Sequence, residues 1–377
     1  MIGLNKYWKE FTLIIEEILE LTVQKKASDL HISSYLPPVL RIDGELIRTN
    51  LPVLSPEDVE TLVFPILTNE QRRTLEQTWE LDFGYGLHGV GRFRVNVYKD
   101  KGNYAAAFRT VNSTPPTFES LGLPEVVKTV SNRPRGLILV TGPTGSGKST
   151  TLAAMIDHIN STRTEHILTM EDPIEFVHTS KKSIVHQREL GQDTRSMANA
   201  LRSALREDPD VILVGEMRDL ETIALALTAA ETGHLVMATL HTSSAAQTID
   251  RVIDVFPQGQ QQQVRLQLSN SLIAVFSQTL LQKISDDGVT KKGRIMAQEI
   301  MLVTGAIANL IREQKTAQIY SSLQTGTSIG MQTLDMALKD LVRAKKIDPQ
   351  DALAKSQHPN ELKRMLGMSA AETGESY

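Results

Sequence analysis

The chain has 377 residues, of which 40 are Lys or Arg and 44 are Asp or Glu, so its formal net charge is −4. This balance counts against a general nucleic-acid binder, which usually carries a basic stripe. Cysteine is absent, which excludes disulfides and cysteine-ligated zinc. No apolar run is long enough to span a membrane, and glutamates interrupt the apolar residues of the N-terminal stretch, so no signal peptide is expected. We therefore expect a cytoplasmic protein of two or three domains.

Residues 1–112 predict a small α+β domain. An amphipathic helix is expected over 11–23, followed by short strands near 27–32 and 37–46 with a turn at Asp43 and Gly44. Ser55 and Pro56 mark the start of another helix, and a further helix covers 69–78. Two alternating runs, 91–98 and 104–111, predict a hairpin. A polar, proline-bearing linker follows over 113–120.

In the second domain, 121–368, strands and helices alternate, which predicts an α/β fold with a parallel sheet covered by helices on both faces. The predicted strands are 137–141, 166–170, 211–216 and 235–240, and the predicted helices are 149–160, 197–206, 220–232 and 245–255. After Phe256 the pattern favours helices over 260–281, 307–312 and 334–344, with one further strand at 294–301. The polar tail 369–377 is expected to be disordered.

A glycine-rich loop joins the first strand of this domain to its first helix. The residues Gly142, Gly147, Lys148 and Ser149 fill the pattern G-x-x-x-x-G-K-[ST] in the structural context that this motif requires. Glycines let backbone N–H groups converge on phosphate oxygens, and the helix start adds further donors. We expect ATP here, with Lys148 on the outer phosphates and the Ser149 hydroxyl on Mg²⁺; the alternative is a turn that binds nothing. The candidate binding residues are Gly142, Pro143, Thr144, Gly145, Ser146, Gly147, Lys148, Ser149 and Thr150.

Acidic and imidazole side chains stand where the other strands of the second domain end. Glu171, Asp172 and Glu175 follow the strand at 166–170, Glu216 ends the strand at 211–216, and His241 follows the strand at 235–240. The carboxyl ends of parallel strands meet at one edge of a sheet, which is where ligands bind. We therefore expect these groups to converge on the γ-phosphate.

Each acid has a predicted role and an alternative. Glu216 is the candidate that polarises the attacking water, and the alternative is a helix N-terminal acid stabilised by the helix dipole. Glu171, Asp172 and Glu175 are expected near Mg²⁺ or its waters because oxygen ligands suit this ion, and the alternative is turn chemistry. The predicted metal ligands are Ser149, Glu175 and Glu216.

Two histidines flank the strand predicted at 235–240. His241 is expected to sense phosphate or to bridge to a neighbouring subunit. His234 lies seven positions earlier, at the opposite end of the strand. For His234 a nucleotide-site role and a packed or capping histidine after Gly233 are both open.

Three arginines of the first domain, Arg92, Arg94 and Arg109, lie on its predicted hairpin. Arg92 and Arg94 share one face of a strand by the period of two. One interpretation is a solvated strand face. The other is an arginine supplied to the phosphates from outside the nucleotide-binding core, by the same or an adjacent subunit, which in P-loop enzymes raises the rate by about 10³–10⁵-fold.

Together these segments resemble the secretion-type hexameric ATPases, and within them the type IV pilus retraction ATPases. The matching segments are 27–31, the phosphate loop, the acidic box 171–176, the Walker B region 205–219, and the histidine box from 232–234 through 239–242. The resemblance extends over nearly the whole chain to about Ala344. It implies a PAS-like first domain, a RecA-like second domain and a homohexameric ring with nucleotide between the domains.

The resemblance also implies roles for individual residues. Lys148 and Ser149 would hold phosphate and Mg²⁺, and first-domain arginines would reach the phosphates. Glu216 would be the catalytic glutamate, and Glu175, His234 and His241 would belong to the active-site boxes.

Two features separate the retraction branch from extension motors. Extension ATPases of this family usually carry a four-cysteine zinc insert and a long extra N-terminal domain, whereas this chain has no cysteine and a short first domain. The retraction branch carries the signature Ala-Ile-Arg-Asn-Leu-Ile-Arg-Glu, and residues 306–313 match it except for Ala308, which stands where the family has arginine. The role of position 308, and the distinction from an accessory retraction motor, stay open.

The sequence thus predicts an ATP-driven motor, docked at the cytoplasmic face of the inner membrane, that acts on a membrane-platform partner so that pili retract. It predicts neither nucleic-acid binding nor a direct membrane span. The alternatives are a RecA-like nucleic-acid translocase, which the acidic balance disfavours, a nucleotide-gated scaffold without turnover, and an extension motor with the same chemistry.

Overall fold

The computed structural model describes residues 13–42, 44–111, 114–285 and 290–368. The chain divides into two compact units: Met1–Thr114 with Pro173–Val177, and Pro115–Asp172 with His178–Tyr377. The tail predicted to be disordered, the first two residues of the predicted N-terminal helix and Asp43 of the predicted turn lie outside the described residues.

The first unit is a six-stranded antiparallel sheet with helices packed on one face. Its strand order is β3-β2-β1-β6-β5-β4. Its helices are α1 (Ile15–Gln24), α2 (Pro56–Val63) and α3 (Asn69–Thr78), and its strands are β1 (Asp29–Ser33), β2 (Val39–Ile42), β3 (Glu45–Arg48), β4 (Glu80–Leu87), β5 (Gly91–Asp100) and β6 (Asn103–Val111).

The side chains of β5 show how this sheet separates its two faces. Phe93, Val95 and Val97 are fully buried in a core that includes Ile18 of α1. The alternate residue Arg94 is exposed. The hairpin is therefore as predicted, but β4 was not predicted because its sequence Glu-Leu-Asp-Phe-Gly-Tyr-Gly-Leu contains two glycines, which weaken a strand signal.

Two helix starts in this unit follow directly from local sequence. The Ser55 side chain accepts from Asp58 N at 3.2 Å, and the Asp58 carboxylate accepts from Ser55 N at 2.7 Å. Thr68 and Gln71 form the same reciprocal pair ahead of α3. Each capping box satisfies two N–H groups that a helix start leaves unpaired, which fixes where α2 and α3 begin.

The second unit is a seven-stranded sheet with order β13-β12-β7-β11-β10-β8-β9. Its strands are β7 (Gly136–Thr141), β8 (His166–Glu171), β9 (Ile184–Glu189), β10 (Val211–Val214), β11 (Leu235–Leu240), β12 (Leu272–Ile284) and β13 (Lys291–Leu302). Its helices are α4 (Phe118–Leu121), α5 (Glu125–Ser131), α6 (Lys148–Thr162), α7 (Met197–Ala204), α8 (Leu220–Thr232), α9 (Ala245–Asp254), α10 (Gln258–Ser271), α11 (Gly305–Arg312), α12 (Ile319–Thr325), α13 (Leu334–Arg343), α14 (Pro349–Lys355) and α15 (Pro359–Leu366).

This sheet is parallel from β12 to β9, and β13 adds an antiparallel edge. Every residue of β7, β10 and β11 is buried, because helices cover both faces. Along β7, Leu137 and Leu139 pack towards α8, α9 and α10, whereas Ile138 and Val140 pack towards α5 and α6. The predicted central strands and their helices are confirmed, and β9, a polar edge strand, was not predicted.

The prediction of a helix over 260–281 is wrong beyond Ser271. Helix α10 ends there, and β12 begins at Leu272 between β7 and β13. The run from Leu272 to Leu281 is buried at nearly every position because both faces of β12 are covered, and it is apolar except at Ser277, Gln278 and Thr279. Periodicity cannot distinguish such a strand from a buried helix. The β-branched Ile273 and Val275 with the aromatic Phe276 were the signal for a strand.

We expect Phe276→Ala to lower the free energy of unfolding by about 3–5 kcal/mol, because it removes a fully buried ring from β12. Urea unfolding followed by circular dichroism measures this. Leu266→Ala, at a half-exposed position on α10, is the control and should cost less than about 1 kcal/mol. Equal stability of the two variants would contradict the central position of β12.

Candidate functional site

The phosphate loop leaves β7 at Thr141 and ends at Lys148, the first residue of α6. Gly142, Gly145 and Gly147 have φ angles of 140°, 76° and 88°, which side-chain-bearing residues rarely adopt. The Lys148 ammonium donates to the carbonyls of Gly142 at 2.9 Å and Pro143 at 3.1 Å. The glycines therefore shape the loop, and Lys148 is held across its mouth.

Strand β12 fixes the start and the middle of this loop. A Cβ on Gly142 would lie 2.2 Å from the Gln278 carbonyl oxygen, so only glycine fits against β12 there. The buried Gln278 side chain donates to the Ser146 carbonyl at 2.8 Å and accepts from Thr151 Oγ1 at 3.0 Å and from Gln298 Nε2 at 3.1 Å. Gln278 thus connects the loop, α6 and β13, and it was missed because its strand was predicted as a helix.

Glu216 lies just beyond the C-terminal end of β10, at the end of the sheet that carries the phosphate loop. Its carboxylate lies between an arginine and a histidine. Its Oε2 pairs with Arg218 Nη2 at 2.9 Å, and its Oε1 lies 3.1 Å from His241 Nε2. Arg218 also approaches Asp172, with an Nη1–Oδ2 distance of 3.6 Å. The structure therefore brings together Glu216, His241 and Asp172, which follow three different strands.

The pKa of Glu216 is lowered from its usual value. Burial raises the pKa, but hydrogen bonds from Arg218 and His241 and the charges of these partners outweigh burial. Glu216 is therefore ionised at neutral pH. Arg218 was not assigned from the sequence, although its position two residues after Glu216 in the Walker B region was a usable signal.

Glu171, the last residue of β8, faces neighbouring side chains of its own unit. Its Oε1 accepts from Thr169 Oγ1 at 2.6 Å and from Gln187 Nε2 at 3.1 Å. Gly215 packs against this strand end, since a Cβ on it would lie 3.2 Å from Glu171 Cα. These contacts fix the position of the acidic loop relative to β10.

The structure places His234 at the N-terminal end of the central strand β11, whereas the phosphate loop follows the C-terminal end of β7. It precedes β11, and its Nδ1 lies 2.9 Å from the Ala229 carbonyl at the end of α8. Six strand residues at about 3.3 Å each separate it from His241. Within one protomer His234 acts as a cap of α8, and its role in a nucleotide site stays a prediction.

The remaining predicted residues belong to the first unit. Arg94 pairs with Asp82 through Nε and Nη2, and Arg109 Nε donates to Asp29 at 2.9 Å. Arg94 and Arg109 are register partners on neighbouring strands, and Arg92 lies two residues before Arg94, so all three occupy one sheet face. Glu175 is exposed in the 173–177 segment.

The donor set at the phosphate loop fits Mg²⁺ bound together with phosphate. No group of three or more His, Asp or Glu side chains arranged for a metal occurs in the described ranges. Mg²⁺ is usually held by one or two protein oxygens with substrate phosphates and waters. The Ser149 hydroxyl, in the first turn of α6, would supply an oxygen of this kind.

Comparison with known proteins decides the family. Residues 117–349 match the family model described as Type II/IV secretion system protein. The chain is 57% identical over 345 residues to the type IV pilus retraction ATPase PilT of Pseudomonas aeruginosa, which covers 92% of this chain and 98% of that protein. This chain belongs to the type II/IV secretion ATPases.

Two further relatives support the same branch. A twitching motility protein of Neisseria gonorrhoeae is 53% identical over 340 residues, which is 90% of this chain and 89% of that protein. A crystal structure of the pilus retraction motor PilT with bound ADP matches with a TM-score of 0.85 and 50% identity over 93% of this chain and 99% of that one. The resemblance inferred from the motifs, the α/β class with a smaller α+β unit first, and the prediction of an ATPase are confirmed.

One further observation concerns the membrane. None of the helices in the described ranges of this secretion ATPase combines the length and the hydropathy needed to cross a bilayer.

We expect Gly142→Ala to lower the affinity for ATP by about tenfold or more, because the new Cβ overlaps the Gln278 carbonyl and either the loop or β12 must move. Titration of a fluorescent ATP analogue measures the affinity. Gly145→Ala is the matched control: its φ is also positive, but no atom lies within 4 Å of the added Cβ, so only local strain of about 1 kcal/mol results. If both substitutions weaken binding equally, contact with β12 does not shape the loop.

Proposed function

We propose that this secretion ATPase hydrolyses ATP to drive retraction of type IV pili. The observation that carries the proposal is the position of Glu216, held by Arg218 and His241 at the sheet edge where the phosphate loop begins. The relatives described as pilus retraction ATPases support retraction, and not extension, as the process that hydrolysis drives.

The chemistry follows from the residues at this edge. Backbone N–H groups of the loop and the Lys148 ammonium bind the phosphates, and Ser149 would hold Mg²⁺, which neutralises charge on the outer phosphate oxygens. The ionised Glu216 carboxylate accepts a hydrogen bond from the attacking water and orients it. His241, in contact with Glu216, links the position of that carboxylate to the end of β11.

We further propose that the chain works as a homohexamer in which arginines of the first unit reach the phosphates. Arg109 suits this role because its side chain is 71% exposed, although the Asp29 side chain that it pairs with is only 13% exposed. Asp29 also lies 3.8 Å from Arg41 Nε, so its carboxylate would keep a cationic neighbour if Arg109 moved to phosphate. Arg92 and Arg94 are the other candidates on the same face.

Motion of the first unit would then couple to hydrolysis. Nucleotide binding closes the two units through the arginine contacts, and hydrolysis releases them. Glu175, in the first unit, and His234, at the sheet end opposite the phosphate loop of its own protomer, stay proposed members of a nucleotide site. The ring is proposed to dock at the cytoplasmic face of the inner membrane on a pilus platform protein, without nucleic acid.

We expect Glu216→Gln to lower kcat by about 10²-fold or more while ATP affinity changes less than about threefold, because the amide no longer polarises water but leaves the phosphate loop intact. Phosphate release and nucleotide titration measure the two quantities. Glu221→Gln is the control, since Glu221 is exposed on α8 and pairs with Arg202, away from the phosphate loop. Normal turnover by Glu216→Gln would disprove its catalytic assignment.

A strain that lacks this protein tests whether the motor retracts or extends pili. Loss of a retraction motor should leave surplus surface pili and abolish twitching, whereas loss of an extension motor should leave no pili. Complementation with wild type should restore motility, and the Glu216→Gln variant should not. A strain without surface pili would contradict the proposed retraction.

A further inference from the structure

A row of buried residues crosses four strands at the end of the sheet that carries the phosphate loop. The register pairs Leu240 with Thr141, Thr141 with Ser277, and Ser277 with Glu299. Thr141 Oγ1 lies 2.8 Å from Ser277 Oγ and 3.5 Å from Thr248 Oγ1 of α9. The polar members of this row therefore face the first turns of α9, the helix that begins just after His241.

Glu299 ends this row and contacts the start of α9. Its Oε1 accepts from Ala245 N, the first residue of the helix, at 2.7 Å, and the residue is only 1% exposed. A carboxylate at a helix N-terminus is stabilised by the N–H groups there and by the helix dipole. Burial, with a contribution from nearby Asp335, raises the pKa of Glu299 to about 7.

Gln357 contacts the same segment from the C-terminal helices. Its Nε2 donates to the Ser243 carbonyl at 2.8 Å. Asp335 of α13 fixes the turn that presents Gln357, because its carboxylate accepts from Ser356 Oγ at 2.5 Å and from His358 N at 3.1 Å. Residues 241–245 are thus bonded to Glu216 at one end and to Glu299 and Gln357 at the other.

A cavity of about 410 Å³ adjoins these contacts, and its lining residues include other groups that face Glu299. Tyr320 and His358 line it, together with Ser244, Gln247 and Glu299 itself. The titratable neighbours are therefore Asp335, Tyr320 and His358, since the first turn of α9 has no acidic side chain. Burial and Glu361 hold the pKa of Tyr320 above its usual value, so Tyr320 stays neutral at physiological pH.

We propose that Glu299 and Gln357 are positioning residues for ATP hydrolysis. Through the backbone of residues 243–245 they set the position of His241, and through His241 the position of the Glu216 carboxylate. This inference rests on the proposed function, because it needs Glu216 to act on the attacking water. It connects the C-terminal helices, through residues 241–245, to the residue proposed to act on water.

The first test uses Gln357→Ala, which removes the hydrogen bond to the Ser243 carbonyl and the contact with Glu299 from a half-buried side chain. We expect kcat to fall about threefold to tenfold, the KM for ATP to change less than twofold, and the melting temperature to stay within about 2 °C. Gln324→Ala is the matched control: Gln324 also lies among the C-terminal helices, but its amide bonds Glu361 and not the 241–245 segment. Equal rates for the two variants would overturn the role of Gln357.

The second test uses Glu299→Gln and the pH dependence of kcat. The amide can still accept from Ala245 N but does not titrate, whereas the wild-type carboxyl ionises across pH 7 and then accepts a charge-assisted, stronger bond. At pH 6 wild type and variant should differ less than twofold, and by pH 8 wild type should be about fivefold faster. Groups shared by both proteins cancel in this ratio.

The outcomes separate this inference from the proposed function. A ratio of wild type to Glu299→Gln that stays constant with pH would show only a structural role for Glu299. If Glu216→Gln abolishes turnover while Gln357→Ala and Glu299→Gln behave as wild type, hydrolysis by Glu216 stands and the positioning role fails. If Glu216→Gln retains turnover, the catalytic assignment of Glu216 in the proposed function fails, and the positioning role of Glu299 and Gln357 fails with it.

Discussion

The close approach between Gly142 and the carbonyl of Gln278 is the constraint on which the nucleotide site depends. The first residue of the phosphate loop has no room for a side chain because the neighbouring strand, β12, passes directly beside it. The same residue of β12 then reaches the middle of the loop through its amide. Loop conformation is therefore determined jointly by its own glycines and by a strand that lies more than a hundred residues later in the chain.

The parts of this fold that the sequence predicted are those whose signals are local. The capping residue Ser55, the alternation in β5 and the phosphate-loop motif all act within a few residues, so they can be recognised without the tertiary structure. Strand β12 could not be recognised in this way. Its apolar run satisfies either a buried helix or a buried strand, and only its pairing with β7 and β13 decides between them.

The residues of the site that directly follow strands could be predicted from the sequence, and those placed by tertiary contacts could not. The rule that ligands bind at the carboxyl ends of parallel strands placed Glu216 and His241 at one edge, and their side chains are 3.1 Å apart. The sequence could not identify Gln278, Glu299 or Gln357, because their contacts depend on sheet register and on how the C-terminal helices pack. His234 illustrates the converse: a residue within a recognisable motif lies far from the phosphate loop in its own protomer.

Strand β12 contributes both to the row of residues that ends at Glu299 and to the phosphate loop, because adjacent residues of a strand point to opposite faces of a sheet. Ser277 faces α9 and belongs to the row that ends at Glu299, whereas Gln278 faces α6 and holds the phosphate loop. A shift of one residue in the pairing of β12 would exchange these faces and disrupt both sets of contacts at once. The phosphate loop and the segment that carries His241 are therefore both connected to the same strand. Under the proposed function, phosphate binding and hydrolysis would depend together on the position of β12.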